Sequence, residues 1–431
     1  MPRLPAALEP AFPLLKRGHR WATRQVGAYT RRQAVRRPGP RRLPHRGTLS
    51  SYETARLEPD HVRLHVAGGA AVVERTPPLG TPADHWETRH WASIEVPDRY
   101  VLEIDHGLAL TRNGVHVTPG GTLDYATSTY FGIDGRWEEH PIYLKPRLPL
   151  AQEVDGTVLS LATRGTWGNY YHVLMDLLPR WGVFTECLPG RQPDVFLLNR
   201  NTFYAREALA LAGLGDVPSI EPSANSAVRA RTLWVPSLDN NHNEAPPYIT
   251  AWLREHLPAR RLEGRPKRLF ITRGDRPNTR RVVDEPAVFA ALEREGFVRF
   301  DPGAHPVQEQ IDHFAAAEVI VAPHGAALTN LNFCQPGVRI LELFAPRYLN
   351  KGYCAISSNI PGAVYRYLVA PPQVVPQGTI MNGVLDDIVV SPDAVLAALE
   401  ELLAADARTT IPHITSNTTP TPTQHDQETI R

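Results

Sequence analysis

The segment Val319-Ile320-Val321-Ala322-Pro323-His324-Gly325-Ala326-Ala327-Leu328-Thr329-Asn330 constrains this chain more than any other. Its apolar, largely β-branched start reads as a buried strand. The proline stops that strand, and small residues then open a helix. Such a junction aims unpaired backbone N–H groups and the positive end of a helix dipole at one point, which suits a phosphate. Small residues at Gly325, Ala326 and Ala327 leave room for close approach to the backbone. His324 falls at the strand's carboxyl end, where open α/β sheets bind their ligands. A tight strand–helix turn with a structural histidine accounts for the same residues, so the junction needs support from the rest of the chain.

Around the junction, strands and helices alternate. Strand-like runs at 157–162, 194–198 and 232–235 interleave with helical patterns over 169–187 and 202–211. An Asn- and Pro-rich stretch over 237–247 reads as a linker. A helix at 248–256 follows, then strands at 269–272, 297–300, 319–322 and 340–344 with helices at 286–295, 307–317 and from 326. Crossover helices between parallel strands produce this order. The expected fold class is α/β, with two Rossmann-like domains facing a cleft and a β-rich N-terminal extension. That extension shows strands at 61–66, 71–73 and 100–104, and an Asn113-Gly114 hairpin between 108–110 and 115–117.

The expected division is a basic flexible leader over 1–50, the β-rich region over 51–150, a Rossmann-like domain over 151–245, a second over 246–390, a helix over 391–406 and a disordered polar tail over 407–431. Within the leader, residues 1–47 carry paired arginines and a single acid, Glu9. They read either as a solvated extension or as a contact with anionic membrane lipid. Net charge is +1, so the chain as a whole is not expected to bind nucleic acid. Cys187, Cys334 and Cys354 lack metal-ligand spacing. There is no secretory signal and no apolar run of the ~20 residues that cross a membrane. A cytoplasmic location is expected, with peripheral contact at the inner face of the plasma membrane as the variant reading.

Three constellations carry chemistry. Asn169, His172, Asp176 and Arg180 fall within about 80° of one helix face. A solvated face would be rich in Lys and Glu; this one reads as the wall of a cleft. His172 and Asp176, four residues apart, can share a hydrogen bond that orients the imidazole. Pro179 is expected to kink the helix. A structural His–Asp pair is the other reading. Secondly, Arg273 follows a strand directly and suits a phosphate, with Arg280 or Arg281 as a second contact and Arg276 in a surface loop. Thirdly, Glu342 sits inside an apolar strand, where a carboxylate must be paired, either with ribose hydroxyls or with an arginine. There is no Asp-x-Asp, no Walker A loop and no HExxH.

In order and spacing, five motifs resemble the family-61 glycosyltransferases over roughly residues 155–345. They are Asn169-x-x-His172-x-x-x-Asp176-x-x-Pro179-Arg180, Ile271-Thr272-Arg273, Gln308-Glu309-Gln310-Ile311, Pro323-His324-Gly325-Ala326 with Thr329-Asn330, and Leu341-Glu342-Leu343-Phe344. The resemblance implies a GT-B fold and inverting transfer from a nucleotide sugar to a glycan or other hydroxyl acceptor. No cofactor and no metal are implied. Arg273, His324, Gly325, Ala326, Glu342 and Arg281 would bind the donor nucleotide. Asp176 or His172 would be the catalytic base. Asn169, Arg180, Gln310 and Asn330 would lie on the acceptor side or act as structural supports. Similar bacterial proteins serve capsular or other surface polysaccharides, and the Arg-, Ala- and Pro-rich composition fits a bacterial source. Val282-Val283-Asp284-Glu285 departs from the family's usual Asn-Glu pair, which weakens the carry-over to Arg281. The alternative is a nucleotide-sugar-binding scaffold that has lost catalysis.

Overall fold

A computed structural model describes residues 12–36, 39–133, 135–274, 280–379, 382–406 and 413–416. Two sheets organise the chain. The first has ten strands. At its centre Gln152–Ser160 runs parallel to Ala227–Pro236, with Val158 opposite Leu233. Val195–Leu197 and Ser219–Ile220 extend it in parallel. Arg99–Asp105 and Leu108–Leu110 pair antiparallel with the other edge of Ala227–Pro236. The hairpin expected at Asn113-Gly114 joins Leu108–Leu110 to Val115–Val117. The β-rich extension and the following α/β segment therefore share one sheet. The reason is hydrophobic: Leu102, Ile104, Val158 and Leu233 bury in a single cluster, which neither set of strands could close alone.

The second sheet has six strands, all parallel, in the order Val298–Phe300, Arg268–Ile271, Val319–Pro323, Arg339–Phe344, Val364–Val369, Leu79–Thr81. Its last strand comes from the N-terminal part of the chain. The two-residue period of strands divides the apolar side chains between two faces. Val319, Val321, Leu341 and Leu343 pack with the helices Glu285–Arg294 and Pro392–Ala404. Ile320, Ala322, Ile340 and Phe344 face the other way, with Val307, Ile311 and Phe314 of the helix Val307–Ala316.

Between the sheets lies the helical segment Tyr170–His172, Val173–Leu177, Leu178–Cys187. Val173, Leu174, Leu177 and Leu178 are wholly buried, in one cluster with Leu159 and Phe196 of the first sheet and Ile320 and Phe344 of the second. The broad apolar surface of this segment needs cover from both sheets. The kink expected at Pro179 takes the form of a π turn just before it, where the Leu178 N–H reaches back to the Val173 carbonyl. Pro179 has no N–H to offer and crowds the preceding turn, so the wider register suits it.

Three expectations are corrected. Phe12–Arg36 is a helix rather than a flexible leader. It is held because Thr23, Gly27 and Ala34 are buried against the turns Trp137–Glu139 and Pro141–Leu144. Arg24 bonds Glu139 at 2.5 Å, and the Arg31 guanidinium lies 5.0 Å from the Tyr143 ring centroid. Residues 1–11 lie outside the described residues. The stretch 237–247 is a packed loop rather than a free linker: Ser237, Asp239 and Asn240 are each at most 5% exposed, and the Asn240 amide bonds Tyr171, Asp176 and the Ala245 N–H. Of the tail expected to be disordered, His413–Ser416 pairs antiparallel with Ala71–Glu74, and 407–412 and 417–431 lie outside the described residues. The three cysteines are free.

The docking of Leu79–Thr81 on the second sheet depends on a missing side chain. A Cβ at Gly80 would lie 2.0 Å from the Tyr367 ring. Gly80→Ala is expected to lower stability by about 1–3 kcal/mol, read as the denaturant midpoint. Gly18→Ala, where nothing lies within 4 Å, is expected not to lower it.

Candidate active site

Asn169 caps the buried helix by accepting the Tyr171 N–H at 2.9 Å. One turn on, His172 Nδ1 and Asp176 Oδ2 are 2.7 Å apart. The other carboxylate oxygen, Oδ1, accepts from Asn240 Nδ2 at 2.8 Å, and Asn240 reaches the Tyr171 hydroxyl as well. Both oxygens of Asp176 are thus occupied, while His172 keeps 11% of its side chain exposed. Gly165 closes over the imidazole: its φ is +84°, and a Cβ there would lie 2.3 Å from His172 Cδ2. This loop position needs glycine on both counts.

The polar stripe is not a cleft wall along its whole length. Arg180 is 2% exposed and donates to the Pro236 carbonyl at 2.8 and 3.0 Å and to the Ala162 carbonyl at 3.2 Å. Those carbonyls follow the central strands of the first sheet, so the guanidinium fastens the helix to the sheet. Burial lowers its pKa to about 10, against the opposing charges of Asp176 and Asp239.

At the carboxyl end of Val319–Pro323, His324 Nδ1 lies 2.5 Å from Glu342 Oε1, and both residues are buried. Glu342 Oε2 accepts from the Tyr365 hydroxyl. The carboxylate expected at a ribose, or at an arginine, is instead consumed by these two partners, with no surface exposed. Burial raises the Glu342 carboxyl well above its ordinary range. Burial, followed by the charges of Arg280 and Arg273, holds the His324 imidazole well below its own. Both shifts favour a pair that holds one proton between them.

Arg273 Nη1 donates to the His324 carbonyl at 3.1 Å. A Cβ at Gly325 would fall 2.0 Å from that same nitrogen, which is why glycine stands there. Ala326 opens the helical turn Ala326–Phe333. Among the described residues no acceptor meets the N–H groups of Gly325, Ala326 and Ala327. The second arginine of this site is Arg280, 4.8 Å from the Tyr348 ring centroid, which in turn packs on His324 at 5.1 Å. Of the two candidates, Arg281, which the family resemblance implies, points elsewhere. It faces Asp387 and lines a separate cavity of about 600 Å³ with Glu285 and Arg299. Arg280 has a left-handed backbone, φ +66°, and its side chain and that of Arg281 leave the chain toward different neighbours, Tyr348 and Asp387. Arg276 lies outside the described residues.

The two clusters meet through aromatic rings. Tyr171, beside His172, packs on Tyr353 at 5.9 Å, and Tyr353 packs on His324 at 4.9 Å. Asn330 accepts from the Tyr170 hydroxyl at 2.7 Å and donates to Gln310 at 3.2 Å. Asn330, steadied by Gln310, therefore ties the two halves through Tyr170, whereas Asn169 is exposed and caps its own helix. A cavity of about 380 Å³ lined by Tyr125, Arg164, Asp239 and Asn241 adjoins the first cluster: the Arg164 guanidinium covers Phe131, which packs on His172 at 5.5 Å. Burial pushes Asp239 up to about 6, against hydrogen bonds from Tyr248 and Ser237. Among the described residues no group of three or more His, Cys, Asp or Glu is placed to hold a metal. Sequence reasoning missed Asn240, Tyr353 and Tyr365. Asn240 had a signal, since it follows the carboxyl end of Ala227–Pro236, the sheet edge where ligands bind.

Residues 170–341 match the family model described as Glycosyltransferase 61. The match starts at the helix that carries His172 and Asp176 and ends one residue before Glu342. It supports glycosyltransferase family 61 and, in general terms, glycosyltransferase activity with a donor and an acceptor. A comparison with curated proteins finds no match.

The shared proton of His324 and Glu342 has a measurable consequence. The unfolded pair, with ordinary values of 6.5 and 4.5, also holds one proton between those limits. Above 6.5 it loses a proton that the folded pair keeps, so stability falls as pH rises. Below 4.5 it gains a second that the folded pair refuses, so stability falls as pH drops. Wild-type stability minus that of His324→Gln/Glu342→Gln, measured by denaturant titration across pH, is expected to plateau from 4.5 to 6.5. Outside that window it should fall by up to about 1.4 kcal/mol per pH unit.

Proposed function

From the family-61 match we propose that this chain is an inverting glycosyltransferase, moving a sugar from a nucleotide-sugar donor to a hydroxyl acceptor without a metal, in bacterial surface or capsular polysaccharide synthesis. The observation that carries the chemistry is the pairing of an oriented imidazole with a basic, N–H-rich turn across the Tyr171–Tyr353 contact.

In this reading the donor diphosphate sits at Gly325, Ala326 and Ala327, against Arg273 and Arg280. The backbone donors and guanidinium groups balance the negative charge that builds on the diphosphate as the glycosidic bond breaks. His324 lines that seat, and Glu342 holds its ring in position. On the other side, Asp176 accepts from His172 Nδ1–H and fixes the tautomer, leaving Nε2 as the base that takes the acceptor's proton. Asp176 is then the orienting partner, because Asn240 occupies its other oxygen. The acceptor hydroxyl attacks the anomeric carbon from the face opposite the departing diphosphate, which inverts the centre. In this reading the acceptor enters from the side of the cavity lined by Arg164 and Asp239, which connects to His172 through Phe131.

The test is a thermal-shift screen against nucleoside diphosphates and nucleotide sugars, with and without a chelator, paired with a transfer assay. One diphosphate is expected to raise the midpoint whether or not chelator is present. Arg273→Ala should lose both this stabilisation and transfer, and Gly325→Ala should follow it by displacing the guanidinium. His172→Ala should keep the stabilisation and lose transfer by about 10²–10⁴-fold. Unchanged transfer in His172→Ala removes the base assignment, and retention of the donor's anomeric configuration in the product removes the inverting one.

A further inference from the structure

The helix Phe12–Arg36 takes no part in this chemistry. Its 25 residues include seven Lys or Arg and no acid. Arg24 and Arg31 are engaged with Glu139, Trp137 and Tyr143, on the side where Thr23, Gly27 and Ala34 are buried. At ~100° per residue the opposite side carries Leu14, Trp21, Tyr29, Arg32 and Arg36. Leu14 and Trp21 are each 66% exposed and Tyr29 is 64% exposed; Arg17, Arg32 and Arg36 are exposed beside them.

This is not an ordinary solvated face, which mixes acids with bases at i,i+4 spacing. Nor does it suit a self-complementary seam, because two copies would bring their like charges together. Exposed Trp, Tyr and Leu interleaved with arginine match the layered chemistry of a bilayer surface. Aromatic rings sit at headgroup depth, aliphatic chains reach the acyl boundary, and guanidinium groups meet anionic phosphates. We infer that Phe12–Arg36 docks the protein on an anionic lipid surface, lying in the plane of the interface with Leu14, Trp21 and Tyr29 inserted. The helix lies on the bilayer and does not cross it; among the described residues none is long and apolar enough to do so. The inference stands apart from the reaction proposed above.

Flotation of the full chain with lipid vesicles tests it. Vesicles of phosphatidylcholine containing about one-third phosphatidylglycerol are expected to carry the protein upward, and phosphatidylcholine alone to carry about tenfold less. Leu14→Glu/Trp21→Glu and Arg17→Glu/Arg32→Glu/Arg36→Glu should each cut flotation about tenfold at an unchanged thermal midpoint. If either set shifts that midpoint, Trp21→Gln and Arg32→Gln/Arg36→Gln replace them, with a loss in the same direction expected. No flotation, equal flotation with both lipids, or variants that float like the wild type would overturn the inference. So would a wild-type dimer that Trp21→Glu converts to monomer, which would assign the face to a second copy of the chain.

Discussion

Burial of one helical segment between two sheets is the constraint on which the rest of this structure depends. Residues 170–180 are buried on every side, with Val173, Leu174, Leu177 and Leu178 packed between a sheet above and a sheet below. The price is that polar residues on the same helix go inside as well. Asp176 and Arg180, each 2% exposed, must then find partners in the protein, since a buried charge without one costs several kcal/mol. Asn240 and His172 answer Asp176; the Pro236 and Ala162 carbonyls answer Arg180. Rigidity at the candidate base is thus a by-product of how the core closes.

The same desolvation logic shapes the other half of the site. Glu342 lies in a strand with no exposed surface, and its two oxygens are met by His324 and Tyr365. Those bonds fix the ring at the mouth of the helical turn. Close packing of Arg273 on Gly325 then sets a cation against the open backbone N–H groups. Between the halves, hydroxyl and amide contacts such as Tyr170–Asn330 and Thr250–Asn332 run through the apolar cluster. A buried polar bond of this kind is directional, so it holds register where apolar contact alone would allow sliding.

Much of this was legible in the sequence. The Asn113-Gly114 turn placed its two strands correctly because a hairpin is a local object. The alternation from 268 to 344 was equally clear, since buried parallel strands are short apolar runs bounded by turn residues. The i,i+4 spacing of His172 and Asp176 survived a π turn, because both side chains still lie on one side of the segment. Less was legible where partners come from far away. Arg280 and Arg281 are adjacent, and nothing local tells which faces His324. The 237–247 stretch looked like a linker by composition, yet Asn240 is buried because Asp176 on the helix beside it needs a donor. The helix Phe12–Arg36 looked like a flexible leader because its anchoring face is made of Thr, Gly and Ala, which carry no hydrophobic signal.

The sequence by itself determined the elements, their order, and the residue types that gather at the carboxyl ends of the strands. These follow from backbone sterics and side-chain periodicity, which act over a few residues. Only the tertiary structure decided that Glu342 holds a histidine, that Arg180 braces a sheet, that Leu79–Thr81 completes a sheet formed from residues far along the chain, and that Arg280 faces the basic turn. Each of these depends on which groups are desolvated together, and desolvation is a property of the closed core rather than of any segment within it.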